Sequence, residues 1–289
     1  MSYTLVLNSS NVMANGRNTN FEYKFISGSL VIPENSEMAI SNVTIPYSFF
    51  NINLQLYNNS SFSYTFPSST GTNTYSVTLP DGYYSVDDIN QYLQTVMITN
   101  GQYLVNASGQ YVYYITLAYD VVYYSVQLVC YAVPTSLPTG YTNSAGMTFP
   151  SAATTPQLII SDNNFGAVIG FTTGTYPSTA STSNQSTLSN TVPDGSVVNS
   201  MILRCNLVDN CVTMPSDIVD SIPISNTVFG ANISYQPSFA KWQKVKAGRY
   251  SSMRVSIVDQ NLNAIQANDP NVLITLLLKI GSNINNSGK

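Results

Sequence analysis

Histidine is absent from all 289 residues, and that absence excludes more chemistry than any motif in the chain supplies. Without an imidazole there is no Ser-His or Cys-His dyad, no usual zinc ligand, and the commonest general base is gone. Charge is nearly as scarce, since Asp, Glu, Lys and Arg make up 8% of the residues where about a quarter is usual. The ten basic residues are also unevenly placed: between Lys24 and Arg204 there is no Lys or Arg at all. With a formal net charge of −4, nucleic acid is not an expected partner. A surface this poor in charge is weakly protected against association, so neutral polar contact with neighbouring subunits is the natural expectation.

Cysteine is sparse too. Cys130, Cys205 and Cys211 are odd in number and form no CxxC pair, so a small buried hydrophobe is the default role for each. No apolar run approaches the length of a membrane span, and the opening "MSYTLVLNSSNVM" lacks the charged start and continuous apolar core of a signal peptide. Production and retention in a reducing compartment are expected. The sequons at Asn58 and Asn232 are then read as unmodified.

What the chain has in abundance is Tyr, Thr, Ser, Asn and Val, residues that suit half-buried pleated surfaces and the turns between them. Apolar segments bounded by turn signals recur at 3–7, 21–26, 37–45, 61–66, 74–79, 111–118 and 121–133, and are expected to be strands. Asp120 should mark a tight turn or bulge between the last two, which would otherwise make one implausibly long strand. In "VVNSMILRCNLV", Met201, Leu203, Cys205 and Leu207 alternate onto one face. Met253, Val255 and Ile257 do the same, and the almost wholly apolar run 272–280 reads as a central strand buried on both faces. Two stretches rich in Ser and Thr, about 134–156 and 178–190, read as surface loop excursions, the second of them mobile, and the polar tail 281–289 as flexible.

One helix is clearly written. Pro80-Asp81-Gly82 is a turn signal, and Ser85 with Asp88 three residues later has the shape of a capping box. Val86, Ile89, Leu93 and Val96 or Met97 follow at helical spacing, so one face must lie on something. Asn100-Gly101 supplies the stop. "FGAVIGF", Phe165 to Phe171, is either a helical turn or a buried crossing. About a dozen strands without a βαβ rhythm imply a sandwich or barrel, with the helix as a lid. The length allows one large core or two small ones, and all-β domains often reach this size as a single unit, so one domain over 1–289 is expected.

Few residues are candidates for chemistry. Glycosidase chemistry needs only two carboxylates, and Glu34/Glu37 and Asp87/Asp88 are the available pairs. Asp87 and Asp88 are better explained by the positive end of the helix they open, and Glu34 by the turn after Pro33. The acidic loop from Asp209 to Asp220 lacks EF-hand spacing, and neither "FGAVIGF" nor "LPDG" is a phosphate loop. No enzyme activity, cofactor or metal is expected. The basic cluster around Trp242, formed by Lys241, Lys244, Lys246 and Arg249, has three open readings: the charged outer face of a strand, a subunit interface, or a genome contact. Trp and Arg are favoured anchors of interfaces.

The order of motifs resembles a known family. "AISNVTIPYSFFNI" (39–52) is similar to the early strand-and-corner motif of penton, or minor capsid, proteins of virophages and related polinton-type viruses. "LPDGYYSVDDINQYL" is similar to the turn and helix that follow there, and "FGAVIGF" resembles their short Leu-Gly-Phe element. "LRCNLVDN" (203–210) and "VSIVDQNLNAI…NVLITLLLKI" resemble a preceding strand and the closing hairpin. That hairpin usually turns on Asp-x-x-Gly, whereas Gln260, Asn261 and Leu262 follow Asp259 here, so Asn261 or Asn263 is expected to take the left-handed position. The resemblance implies a single jelly roll of two four-stranded sheets with one short helix between strands. It also implies a homopentameric penton at the fivefold vertices of a virion, the major capsid protein of the same virus as partner, and synthesis in the host cytoplasm. Lys241, Trp242, Lys244, Lys246 and Arg249 are then the candidate subunit interface. Two alternatives stand beside it: a viral fibre or receptor-binding head, and a carbohydrate-binding β-sandwich, which would need an exposed aromatic platform.

Overall fold

The structure, a computed structural model, describes residues 2–14, 18–224 and 227–281. The tail expected to be flexible falls outside them after Gly281. Where the sequence reads as one domain, the chain forms two compact units: Met1–Phe49 with Val198–Lys289, and Phe50–Val197. Unit 1 opens with β1 (Ser2–Leu7), β2 (Asn20–Lys24), β3 (Leu30–Ile32) and β4 (Glu37–Pro46). Unit 2 follows with α1 (Leu54–Tyr57), β5 (Ser61–Ser68), β6 (Gly71–Thr78), α2 (Val86–Thr99), β7 (Leu104–Val105), β8 (Tyr111–Val112), β9 (Ile115–Asp120) and β10 (Ser125–Cys130). It continues with β11 (Gln157–Ile160), α3 (Asn163–Ile169), β12 (Gly174–Tyr176) and β13 (Gln185–Leu188). Unit 1 then resumes with β14 (Ser200–Cys205), β15 (Ile218–Pro223), β16 (Asn232–Tyr235), β17 (Gln243–Lys244), β18 (Gly248–Tyr250), β19 (Ser252–Asp259) and β20 (Leu273–Lys279).

Unit 1 is built on two antiparallel sheets, ordered β1-β20-β4-β16 and β15-β14-β19-β2. Period-two side chains bury one face of each strand. Leu5 lies opposite Leu276 in the first sheet and Leu203 opposite Ile257 in the second, all four buried. The central β20 was expected to be buried on both faces. Instead Ile274, Leu276 and Leu278 are buried while Leu273 is 39% exposed and Thr275 and Leu277 are half-buried: a central strand has both edges paired, but here the second face is only partly covered. Nor do β19 and β20 form a hairpin, since they lie in different sheets. The turn after β19 is set by Asp259, whose carboxylate accepts the backbone N–H of Asn261 at 2.8 Å and Asn263 at 2.7 Å. The left-handed residue is Leu262, at φ 66°, not either asparagine.

Unit 2 contains one sheet ordered β12-β11-β5-β6, another ordered β13-β10-β9, and the short pair β7-β8. Its helix α2 starts as the sequence predicts, with the Ser85 hydroxyl accepting Asp88 N–H at 3.2 Å and the Asp88 carboxylate accepting Ser85 N–H at 2.8 Å. Ile89, Leu93 and Met97 are buried, and Asn90 Oδ1 accepts Leu117 N–H at 2.9 Å, so the helix is a lid clamped to β9. "FGAVIGF" is helical, forming α3, whose Phe165 stacks on Phe62 of β5 at 4.7 Å. Gly166 allows this close fit, since a Cβ there would sit 2.2 Å from the Phe171 carbonyl oxygen. Asn51 Nδ2 donates to both Tyr84 O and Gly195 O at 2.8 Å, tying the start of the unit to its end.

Three segments of unit 2 depart from expectation. The run 111–118 is interrupted after Val112, and the strand expected over 121–133 is confined to Ser125–Cys130. Asp120 ends β9 by accepting the N–H groups of Val122 at 2.9 Å and Tyr123 at 3.2 Å. Val121 to Tyr124 therefore become a hairpin tip. Part of the expected loop 178–190 is the strand β13, paired along β10 from Gln185 to Leu188.

Candidate interaction surfaces

Among the described residues no group of three or more Cys, Asp or Glu is placed to hold a metal. Asp88 is occupied by its capping role, and the Ser85 hydroxyl and N–H hold its carboxyl below the ordinary value of 3.8. Glu37 pairs with Lys279 at 2.9 Å. In the acidic loop, Asp217 makes a two-point bond with Arg204 and Asp220 accepts from Lys241 and Tyr235. These carboxylates are structural partners rather than a converging pair. Burial pushes the Cys130 and Cys205 thiols up to about 12, as expected of buried small hydrophobes, whereas Cys211 is exposed.

The five candidate interface residues lie on one connected segment of unit 1. There β17 pairs with the start of β4, Lys244 opposite Glu37, and β18 pairs with β3, Arg249 opposite Val31. Lys241 Nζ is 2.9 Å from Asp220 Oδ1 and 3.3 Å from the Tyr235 hydroxyl, which together raise its pKa. Trp242 is 38% exposed, with Lys279 Nζ 5.6 Å from the centre of its ring. Arg249 Nε donates to Ser29 Oγ at 2.8 Å. Lys244 and Lys246 have exposed side chains outside the described ion pairs. The segment is thus a fringe of short edge strands with three side chains engaged within the chain and two extended into solvent.

A second surface was not anticipated. In unit 2, Tyr111, Tyr113, Tyr131 and Tyr141, with Gln110 and Asn184, help to line a groove of about 730 Å³. Tyr103 supports it from behind, its ring centre 4.6 Å from Tyr111 and 6.5 Å from Tyr113. Nearby in sequence, the hairpin tip leaves Val121, Val122, Tyr123 and Tyr124 between 62% and 85% exposed. The only signal in the sequence was the density of tyrosine from 103 to 141. Alternation alone assigned those rings to strand faces without saying which face was open.

No family model and no curated protein matches the chain. Two solved structures align with it over nearly its whole length. One is the mavirus penton protein, at 8% identity and a TM-score of 0.46, covering 97% of this chain and 98% of that one. The other is a chain of the Sputnik virophage solved by cryo-EM, at 13% identity and a TM-score of 0.43, covering 97% of each. The chain is all-β in its main architecture.

Proposed function

We propose that the chain is a capsid protein forming the homopentameric penton at the fivefold vertices of a virion, with unit 1 as its jelly roll. The observation that carries this reading is strand order. Lettering β1, β2, β4, β14, β15, β16, β19 and β20 as B to I turns the two sheets into B-I-D-G and C-H-E-F, the order of a jelly roll wound from two Greek keys. Unit 2 is then an insertion between D and E, entered through the corner motif at Pro46. Because jelly rolls also serve lectins and cupins, the motif resemblance over 39–280 is the second support.

Closed fivefold symmetry multiplies individually modest contacts, and a charge-poor surface leaves few ions to desolvate at each of them. The segment Lys241–Arg249 is proposed as one such contact, with Lys244 and Lys246 reaching acidic groups of the neighbouring subunit and the major capsid protein beyond. Light scattering or native mass spectrometry, with and without the major capsid protein, tests the whole reading. A five-subunit species is expected; a strict trimer would favour a fibre or receptor-binding head, and a persistent monomer in both samples would remove the penton. Replacing Lys244 and Arg249 together by Glu should abolish the pentamer while leaving the fold intact by circular dichroism. Unchanged assembly would remove this segment from the interface.

A further inference from the structure

We propose that the tyrosine-lined groove of unit 2 is a binding site for a neutral oligosaccharide. A pyranose ring is amphipathic, with a face of C–H groups and a rim of hydroxyls that both donate and accept. The groove offers the complement of each. Tyr111 is 51% exposed and Tyr131 40% exposed, and both present apolar ring surface with a polar tip, as aromatic binding sites do. Tyr103 packs behind Tyr111 and Tyr113, so the platform is ordered before a ligand arrives and little freedom is lost on binding.

Two carboxamides are held in the wall. Asn106 Oδ1 accepts Gln110 N–H at 2.9 Å, and Asn106 Nδ2 donates to Gln110 Oε1 at 3.1 Å. Asn184 Oδ1 accepts Ala132 N–H at 3.0 Å. With their oxygens engaged, Gln110 and Asn184 keep NH₂ donors for sugar hydroxyls, while the phenol groups of the tyrosines can accept or donate.

Charge decides the class of sugar. No Asp, Glu, Lys or Arg lines the groove. Burial pushes the Tyr114 phenol in its wall up to about 12 and raises that of Tyr113, so neither of these two phenols ionises in the physiological range. Residues 50–197 carry six aspartates and no Lys or Arg, and such a field repels sialylated or sulfated glycans. A proline-rich peptide also suits aromatic walls, but its backbone offers mainly carbonyl acceptors, whereas a sugar also donates to phenol oxygens. The inference does not depend on the oligomer formed by unit 1.

The test uses the full chain and ligand-observed NMR with cellohexaose, maltohexaose, mannohexaose and N-acetylchitohexaose. A sialyllactose, a heparin hexasaccharide and decaproline serve as competing classes. At least one neutral hexasaccharide should bind, and Tyr111→Ala and Asn184→Ala should each weaken it, the first by about tenfold or more, as loss of an aromatic anchor typically does. Tyr123→Ala, on the exposed hairpin tip, should leave binding unchanged. Tyr131→Ala provides a second groove variant should Tyr111→Ala fail to fold by circular dichroism. Binding confined to the anionic sugars or to decaproline, binding indifferent to the groove variants, or no binding of any neutral hexasaccharide would each overturn the proposal.

Discussion

Tyr64 is fully buried, and its hydroxyl donates to Gln102 Oε1 at 2.6 Å. Gln102 is itself buried, and among the described residues its Nε2 has no partner. The pair anchors the chain just beyond α2, immediately before Tyr103 enters the aromatic stack. Tyr64→Phe would leave a buried carbonyl oxygen without its donor, at a cost of about 1–3 kcal/mol. Gln102→Leu removes the orphaned Nε2 together with the acceptor, so it should cost about 1 kcal/mol or less, the Tyr64 hydroxyl keeping a weak contact to Asn100 Nδ2 at 3.4 Å. In the double variant two apolar groups of similar shape face each other, which is close to neutral. The coupling energy should therefore be on the order of 1–4 kcal/mol, with the double variant more stable than the sum of the singles. Urea or thermal unfolding followed by tyrosine signal reads this out mainly in unit 2, which holds 16 of the 21 tyrosines, whereas the single Trp242 lies in unit 1. About 2–4 °C per kcal/mol is expected for a unit of this size. Burial pushes the Tyr64 phenol up to about 12, so ionisation does not enter between pH 6 and 9. An additive cycle, or a harmless Tyr64→Phe, would refute the buried hydrogen bond.

Two further outcomes follow from burial and capping. A thiol reagent at pH 8 should modify Cys211 alone in the native protein and all three cysteines after unfolding, since thiols pushed up to about 12 are ionised in only about one part in ten thousand; mass spectrometry of native Cys205 adducts would contradict this. Ser85→Ala should destabilise unit 2 by about 1 kcal/mol. The Asp88 carboxyl is lowered by its Ser85 bonds, so its stabilising effect is complete above the unfolded value and disappears as pH falls through the lower folded value. Thermal unfolding of wild type and Asp88→Asn should thus differ at pH 6 and converge only once the pH has fallen below the lowered folded value.

Local structure was legible wherever one residue determines it. Ser85 and Asp88 mark the start of α2, and alternation places Met201, Leu203 and Cys205 on the buried face of β14. The division into two units left no such mark. Val197 follows the turn-rich Pro193-Asp194-Gly195-Ser196, but Phe50 sits in no linker-like change of composition, and the bond that ties the ends of unit 2 joins Asn51 to Gly195, residues no local pattern connects. The run from Leu273 to Lys279 misled for a related reason, because apolar character on both faces does not imply full cover on both. For the tyrosine groove, composition was visible but its opening depends on the turn Asp120 imposes and on the packing of Tyr103.

The uneven placement of charge along the chain has its clearest consequence in how the two units should respond to salt. All four described ion pairs, Arg204–Asp217, Lys241–Asp220, Arg254–Glu22 and Lys279–Glu37, lie in unit 1. Unit 2 has no cation with which to form one, and its aspartates Asp81, Asp88, Asp120 and Asp162 bond to backbone N–H groups instead. Raising salt from about 0.05 to 1 M shrinks the screening length to about 3 Å, which weakens partly exposed pairs worth about 0–1 kcal/mol each. The same screening relieves repulsion among the six like charges of unit 2. The Trp242 fluorescence transition should therefore move to lower denaturant with added sodium chloride, while the tyrosine transition holds or rises. Parallel shifts of both would mean that the two units unfold as one, and that the charge partition has no energetic counterpart.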